Sequence, residues 1–118
     1  MMSTKQELIE YCKTLPGAYE DYPFGEEWTV MRHSVGAKSF ALIFEREGVI
    51  WANLKCEPME AEFLRSVYKS VVPAYHMNKV HWNSVILDGG VPDDEVKAMV
   101  RRSFELTKTK RKKPQKTT

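Results

Sequence analysis

Four short segments rich in strand-forming residues follow one another between residues 18 and 55, separated only by turn-length connections. The connections contain Pro23-Phe24-Gly25, Ser34-Val35-Gly36-Ala37 and Arg46-Glu47-Gly48, whose residue types are typical of turns. Strands joined this closely pair antiparallel, because a parallel crossover needs a dozen or more residues. The block therefore predicts an antiparallel meander, which limits the possible folds more than any other part of the chain.

The pattern within this block predicts which side chains share a face of the sheet. The predicted strands are residues 18–24, 28–33, 39–45 and 49–55. In the second strand, Trp28, Val30 and Arg32 point to one face, and the alternate residues point to the other. Residues 39–45 are almost continuously apolar, as expected of a strand in the centre of a sheet.

Helical patterns lie on both sides of the meander. The predicted helices are residues 5–14, residues 58–69 and a last helix that begins near Pro92. Thr4 and Glu7 form a capping box at the start of the first, and Pro58 suits the first position of the second. Residues 82–87 form one further strand, so the order is α-β-β-β-β-α-β-α. This order predicts an α+β fold: an antiparallel sheet of about five strands with helices packed on one face.

Basic side chains are concentrated at the C-terminal end. Residues 108–118 contain six Lys or Arg residues and no acidic residue, whereas residues 1–107 carry twelve basic and sixteen acidic side chains. We predict one folded domain over residues 1–107 and a disordered basic tail over 108–118, because the tail has no apolar surface to bury. The domain's net charge of −4 argues against a broad basic surface.

Cysteine content and hydropathy predict a cytoplasmic protein. Cys12 and Cys56 are too few for a disulfide framework, so we expect reduced thiols. Residues 1–15 mix Lys and Glu into an apolar pattern, unlike a signal peptide. No apolar run approaches the ~20 residues of a membrane span, so we expect no membrane partner.

One stretch, residues 75–85, is unusually rich in polar and aromatic side chains: two His, two Asn, a Lys, a Tyr and a Trp. Hydrogen-bond donors beside stacking rings suit a phosphate, a nucleotide base or single-stranded nucleic acid. The candidate binding residues are His76, Asn78, Lys79, His81, Trp82 and Asn83 here, with Tyr22, Trp28, Arg32, Lys38 and Lys55 from the predicted sheet. The same stretch also suits a structural role, in which Asn and His side chains hydrogen-bond the backbone of an irregular connection.

Catalytic and metal-binding patterns are weak. His81 and Ser84 have opposite strand parity, so they do not form a local nucleophile and base. Cys56 precedes a helix, but nearby Glu residues oppose thiol activation and favour an inert thiol. His76 and His81 share no face of a strand or helix, and His33 is remote in sequence. We expect no catalytic residue, no metal and no organic cofactor.

Seven segments of the chain match the MmcQ/YjbR family. They are Glu20-Asp21-Tyr22-Pro23-Phe24-Gly25, Trp28 with Val30-Met31-Arg32, Lys38-Ser39-Phe40-Ala41, Asn53-Leu54-Lys55-Cys56, Pro73-Ala74-Tyr75-His76-Met77-Asn78-Lys79, His81-Trp82-Asn83-Ser84-Val85 and Leu87-Asp88-Gly89. The chain resembles this family from about residue 5 to residue 106. It departs at Ala74, where the family pattern often has Gly, and in the Lys-rich tail, which lies outside the pattern.

The resemblance implies a frataxin-like (CyaY-like) fold in a small cytoplasmic protein without an established enzyme activity. It also implies DNA binding through a double-wing arrangement of strands. Iron binding by an acidic first helix, as in some frataxin-like folds, does not transfer, because Lys5 and Lys13 interrupt the acidic residues Glu7 and Glu10. The leading hypothesis is therefore a non-enzymatic DNA- or nucleic-acid-binding protein. The alternative is a protein or enzyme that binds a nucleotide or other phosphate-bearing metabolite at His76–Asn83.

Overall fold

The first helix begins as the capping box predicts. The Thr4 hydroxyl accepts a hydrogen bond from the Glu7 amide at 3.1 Å, and the Glu7 carboxylate accepts one from the Thr4 amide at 3.1 Å. Backbone donors at Ser3 and Thr4 lower the pKa of Glu7. The computed structural model describes residues 2–109 and contains α1 (Lys5–Cys12), β1 (Ala18–Asp21), β2 (Thr29–His33), β3 (Ser39–Arg46), β4 (Val49–Lys55), α2 (Pro58–Val67), β5 (Val71–Pro73), β6 (Trp82–Ile86) and α3 (Asp93–Thr107).

All six strands form one antiparallel sheet in the order β1-β2-β3-β4-β6-β5. The edge strands are β1 and β5. Apolar side chains of all three helices pack with one face of the sheet in a single core. The predicted α+β class, with helices on one face of an antiparallel sheet, is therefore confirmed.

The sheet has six strands rather than about five, because the sequence pattern does not predict β5. This strand has only three residues, which is too short for an alternating pattern, and it ends at Pro73. Other differences are small shifts of element ends. For example, β1 ends at Asp21 rather than at Phe24, because a turn closed by the Gly25 amide and the Tyr22 carbonyl follows it.

The face of the sheet without helices is also buried over much of its area. Val30, Leu42 and Phe44 are buried there, on strand positions that alternate with the core residues of the other face. Two connections, residues 22–28 and 74–81, cover them, since Trp28 and Tyr75 each stack on Phe44. We call this side of the sheet the loop face, and the predicted binding stretch lies on it.

A β-bulge interrupts the pairing between β2 and β3. Met31 pairs with Ala41 but Arg32 pairs with Ser39, which leaves Phe40 as the extra residue. On the other side of β3, the register with β4 begins only at Ala41. The hydroxyl of Ser103 from α3 fills the gap: it donates to the Phe40 carbonyl and accepts from the Lys55 amide at 2.9 Å.

The predicted basic tail lies almost entirely outside the described residues. Lys108 and Thr109 follow α3, and residues 110–118 fall beyond the range that the structure describes. The disorder predicted for the tail therefore stays a prediction. Among the helices of residues 2–109, none is both long enough and apolar enough to cross a bilayer.

Candidate functional site

A buried hydrogen-bond network anchors the predicted binding stretch to the sheet. The side-chain amide of Asn53 donates to the backbone carbonyl of Tyr75 at 2.9 Å. The backbone amide of Tyr75 donates to the Ser84 hydroxyl at 2.9 Å. The Ser84 hydroxyl in turn donates to the Asn53 side-chain oxygen. Asn53 and Ser84 are fully buried on neighbouring strands. These contacts fix the backbone of the 74–81 connection, which is the structural role that the sequence also allowed.

The two Asn side chains of the stretch also bond to the protein itself. The Asn78 side-chain oxygen accepts from the amides of Val80 and His81 at 2.9 and 3.0 Å. Buried Asn83 accepts from the Arg65 guanidinium at 2.7 Å and donates to a carbonyl of α2 at 3.2 Å. Both side chains therefore shape the connection: buried Asn83 uses both of its polar atoms, and exposed Asn78 uses its side-chain oxygen.

His76, Asn78, Lys79 and His81 are the solvent-exposed polar side chains of the stretch. His76 has a positive φ of 62°, a conformation that is uncommon for a residue with a Cβ atom. Its ring centroid lies 4.0 Å from that of Tyr75. The turn thus presents one imidazole beside an aromatic ring at the surface.

An aromatic wall extends from this turn across the loop face. Trp28 stacks on Phe44 at 4.2 Å, and Tyr75 stacks on the same ring at 5.6 Å. The Arg46 guanidinium lies 4.3 Å from the Tyr75 ring centroid and 4.8 Å from that of Trp51. These side chains fill the space between the sheet and the connection. That filling counts against the pocket that the small-ligand hypothesis placed there.

Tyr22 does not join this wall. Its hydroxyl donates to Glu20, which also binds Lys13 beside α1, so Tyr22 lies on the helix side of the sheet. The Tyr22 and Lys13 hydrogen bonds lower the pKa of Glu20. Trp28 lies on the opposite face, where it stacks on Phe44. The first hairpin therefore separates these two predicted wall residues.

Three other predicted site residues, Arg32, Lys55 and Trp82, lie at one end of the loop face. The register pairs Tyr19 with Arg32, Arg32 with Ser39, and Lys55 with Trp82. Directly paired residues of neighbouring strands point to the same face. Five strands thus contribute one side chain each to a line across this end of the sheet, which we call the basic row: Tyr19, Arg32, Ser39, Lys55 and Trp82. Sequence reasoning missed Tyr19, because only the register places it beside Arg32.

Further cations lie at the same end of the sheet as the basic row. Lys38 immediately precedes β3, and the 74–81 connection returns there, as the bond from the Cys56 amide to the His81 carbonyl shows. Arg32 is partly neutralised, because Asp21 accepts from its Nε at 2.7 Å. Lys55 forms no ion pair within residues 2–109. The Lys residues are therefore the groups at this end that remain free to bind an anion.

Acidic side chains gather at the opposite end of the sheet. The exposed residues there are Glu26 and Glu27 before β2, and Glu45 and Glu47 around the β3–β4 turn. One end of the sheet is therefore basic, and acidic residues border the other end, where Arg46 is the cation on the loop face. This separation was not evident from a net charge of −4 for residues 1–107, because the register alone assigns each charge to an end.

The structure also contains a cleft that sequence reasoning did not identify. It has a volume of about 590 Å³ and lies between the α1–β1 turn, the β2–β3 turn and the end of α3. Its lining includes Leu15, Val35 and Phe104, with Arg101 and Lys108 as cations. Buried His33 also lines the cleft, and its Nε2 atom lies 2.8 Å from the Thr107 hydroxyl oxygen. Burial, with a smaller effect of Lys108, lowers the pKa of His33.

The thiols are buried on the helix side of the sheet. Burial raises the pKa of Cys12 to about 12 and, with the nearby Glu60, that of Cys56 to about 11. Both are therefore protonated thiols at neutral pH, and the start of α2 does not activate Cys56. Within residues 2–109, no three His, Cys, Asp or Glu side chains are grouped so that they could hold a metal ion.

Relatives of known sequence match nearly the whole folded chain. The YjbR family model matches residues 13–106. The Escherichia coli K12 protein YjbR is 35% identical over 102 residues, covering 86% of this chain and 85% of that protein. The Bacillus subtilis 168 protein YyaQ is 31% identical over 119 residues, covering 91% of this chain and 100% of that protein.

Solved structures agree with the sequence matches. The crystal structure of the Deinococcus radiodurans protein DR2400, with family-model domain DUF419, has a TM-score of 0.81 and 35% identity, and the match covers 89% of this chain and 78% of that one. A crystal structure of a Pseudomonas syringae protein has a TM-score of 0.79 and 29% identity, covering 89% and 99%. Since the family model matches most of the described residues and the fold agrees, the chain belongs to the YjbR family.

Proposed function

We propose that this protein is a non-enzymatic nucleic-acid-binding protein, and that the basic row holds a single-stranded segment across the end of the sheet. The observation that carries the proposal is the strand register, which pairs Arg32 with Tyr19 on one side of the β3–β4 gap and Lys55 with Trp82 on the other side. Cations between stacking surfaces are the combination that single-stranded nucleic acid requires. The buried free thiols suit the cytoplasmic location expected from the sequence.

The dimensions of the row also suit an extended strand of nucleic acid. Neighbouring strands are ~4.8 Å apart, so five strands place Tyr19 roughly 19 Å from Trp82. Four of the five positions come from the β1–β2 and β3–β4 hairpins. This is how the double-wing arrangement implied by the family resemblance would present its contacts, and it gives the DNA-binding hypothesis a specific location.

The charge separation between the two ends of the sheet supports one orientation and weak affinity. A phosphate backbone is attracted to the basic end and repelled by Glu26, Glu27 and Glu47 in the turns at the other end. So few cations neutralise few phosphates, so affinity is low and falls only moderately as salt is added. His76, Lys79 and His81 lie on the connection that returns to this end, and they extend the row toward β6.

The test is fluorescence anisotropy with a labelled single-stranded oligonucleotide at low salt, on the full chain. Lys55→Gln combined with Lys79→Gln should weaken binding by roughly 3- to 10-fold, because each removes a cation near the row. The matched control is Lys69→Gln combined with Lys97→Gln, which changes the net charge equally at sites outside the row. We expect less than a 2-fold change for the control.

Two results would overturn the proposal. Equal weakening by both pairs would mean that the protein attracts DNA only by its overall charge. Negligible binding of single strands and duplex at low salt would leave no nucleic-acid role for the row. A third variant with the six cations of residues 108–118 changed to Ser separates the tail's contribution, since the response to Lys55→Gln should persist in it.

A second candidate function rests on the cleft beside His33. We propose that it accepts an organic anion with an apolar body, because Leu15, Val35 and Phe104 are apolar and Arg101 supplies a fixed positive charge. Its volume of about 590 Å³ is within the ~300–1,000 Å³ of ordinary ligand sites. This keeps the small-ligand hypothesis but moves it away from the His76–Asn83 segment.

Calorimetric titration with decanoate, and with decanol as the uncharged control, tests this candidate. Val35→Trp should abolish decanoate binding, because the indole occupies the cleft. Arg101→Gln should weaken it, whereas the neighbouring substitution Arg102→Gln should not, because Arg102 pairs with Glu60 outside the cleft. Absence of decanoate binding, or equal binding of both ligands in every variant, would rule out the anion site.

A further inference from the structure

The residues that follow α3 contact the turn between β2 and β3. The Thr109 hydroxyl donates to the Val35 carbonyl at 3.2 Å. The same hydroxyl lies so close to Gly36 that a Cβ atom at this position would clash with it. Gly36 also has a positive φ of 87°, a conformation that favours glycine. These two contacts place the start of residues 110–118 at this turn.

The turn belongs to the basic end of the sheet. The His33 amide donates to the Lys38 carbonyl at 2.9 Å and closes the turn. The Arg32 guanidinium donates to the Ala37 carbonyl at 2.9 Å. Since Arg32 is a member of the basic row, one turn contacts both the row and the point where residues 110–118 begin.

The residues after Thr109 are strongly basic and long enough to pass around the turn. Within residues 110–118 there is no acidic side chain, and the cations are Lys110, Arg111, Lys112, Lys113 and Lys116. Thr109 lines the cleft on the helix side of the turn, whereas the basic row lies on the loop face. An extended chain spans up to ~3.4 Å per residue, so residues 110–113 reach roughly 14 Å. Layers of secondary structure pack only about 10 Å apart, so these residues reach the loop face.

The acidic end of the sheet is beyond the reach of the same four cations. Strand β3 runs from the basic end to the acidic end through eight residues, which span roughly 26 Å. Glu26 and Glu47 of the same chain therefore do not neutralise residues 110–113. Acidic side chains nearer to the turn already pair with cations of the fold: Glu20 with Lys13, Asp21 with Arg32, and Glu105 with Lys108.

We propose that the basic row and the five cations of residues 110–118 bind the same single strand of nucleic acid, which lies between the loop face and the residues after Thr109. This inference rests on the proposed function of the row and states how the C-terminal cations take part in it. They act within the same complex, at an effective concentration set by their short connection to the turn. Phosphates suit this contact, because their neutralisation requires positive charge rather than base-specific geometry.

Anisotropy titration with a labelled single strand of about six nucleotides tests the inference, since at ~3.4 Å per nucleotide this strand is as long as the row. A flexible Gly-Ser segment of about twelve residues, inserted between Thr109 and Lys110, keeps every charge but moves the cations away from the turn. It should weaken binding roughly 4- to 8-fold, because effective concentration falls with about the −3/2 power of linker length.

The matched control carries the same Gly-Ser segment between Lys116 and Thr117, after the last cation. Its composition, length and charge equal those of the first variant, and the cations keep their distance from the turn. We expect affinity to change by less than about 1.5-fold. Unchanged thermal unfolding of both variants will show that residues 2–109 are undisturbed.

The number of bound strands gives an independent measurement. Titration of the unmodified chain at concentrations well above the dissociation constant should saturate at one strand per chain, because the row and the C-terminal cations share it. If each bound its own strand, saturation would occur at two strands per chain.

These results separate the inference from the proposed function on which it rests. Absence of binding by the unmodified chain overturns both. Binding that the two insertions leave unchanged, or weaken equally, overturns the inference alone, because the distance of the cations from the turn then has no effect. Two bound strands per chain also overturn the inference alone. Weakening by the first insertion only, with one strand per chain, supports it.

Discussion

Asn53 is the residue on which the conformation of the 74–81 connection most depends. Its amide group joins the backbone of Tyr75 to the hydroxyl of Ser84, and all of these groups are removed from bulk water. A buried polar group without a partner destabilises a protein by about 1–3 kcal/mol, whereas a satisfied one is nearly neutral. The network therefore holds the connection in one position, and loss of one member leaves the other polar groups without a partner.

Removal of the Asn53 side chain should be strongly destabilising. We expect Asn53→Ala to lower the free energy of unfolding by about 2–4 kcal/mol, because the Tyr75 carbonyl and the Ser84 hydroxyl both lose a partner. Urea denaturation of Asn53→Ala, Ser84→Ala and the double variant measures this. The double variant should be less destabilised than the sum of the single variants by about 1 kcal/mol. Strict additivity would contradict a shared network.

His33 should make stability dependent on pH. Its pKa in the folded protein is lowered below the ordinary value of 6.5, chiefly by burial, so the unfolded chain binds the proton more readily. The free energy of unfolding should therefore decrease as pH falls below about 6.5, by no more than ~1.4 kcal/mol per pH unit. Urea midpoints at pH 7.5 and pH 5.5 test this. His33→Gln should reduce the difference, and the exposed-residue control His81→Gln should not.

At the residue scale, the sequence did not determine the direction of the side chains in the predicted binding residues. Asn83 is a candidate binding group for its donor, yet both of its polar atoms bond to the protein itself, whereas Asn78 bonds to the protein through its oxygen. Tyr22 and Trp28 are close in sequence but lie on opposite faces of the sheet. A polar side chain near a turn has backbone and solvent partners of similar energy, and only the folded backbone decides between them.

At the scale of elements, local signals were sufficient wherever an element was long enough to have a period. The capping box, the alternation in β2 and the apolar run of β3 each predicted the observed element. The bulge at Phe40 was not predictable, because an extra residue in an apolar run leaves no mark on the pattern. The hydrogen bond that the Phe40 carbonyl lacks within the sheet is supplied by the hydroxyl of Ser103, which lies in a helix more than sixty residues away in sequence.

Ser103 should be important for joining β3, β4 and α3. We expect Ser103→Ala to lower the free energy of unfolding by about 2–4 kcal/mol, because the Phe40 carbonyl and the Lys55 amide both lose their partner. The control is Ser66→Ala on α2, where an exposed hydroxyl bonds only to its own helix. That change should be within about 0.5 kcal/mol of zero. Similar effects in both variants would contradict the bridging role.

At the scale of the whole molecule, the positions of the charges say more about the sheet surface than their sum does. The end of the sheet that carries Lys55 and Lys38 is basic, and the end that carries Glu27 and Glu47 is acidic, although residues 1–107 are acidic in sum. Total charge therefore gave the wrong impression of the loop face. The strand register was needed to find the basic row, because it brings together residues that are more than sixty positions apart in sequence.

The salt dependence of nucleic-acid binding should report how many cations take part. Neutralisation of Z phosphates on a single strand gives a slope of about −0.7Z in a plot of log affinity against log salt. With the six tail cations changed to Ser, the basic end offers Arg32, Lys38, Lys55 and Lys79, so the slope should be no steeper than about −3. Anisotropy titrations at four salt concentrations measure this slope. A slope near zero would mean that phosphates do not contact this end.

The edge strands of the sheet affect how readily the protein aggregates at high concentration. An unpaired edge strand can recruit another chain and start fibrous aggregation. Here β5 is only three residues long and ends at Pro73, which has no amide hydrogen to offer, and Pro16 and Pro23 lie on either side of the short strand β1. Contacts between copies are thereby directed away from backbone pairing and toward side-chain surfaces, where association is reversible and can be limited to a defined number of chains.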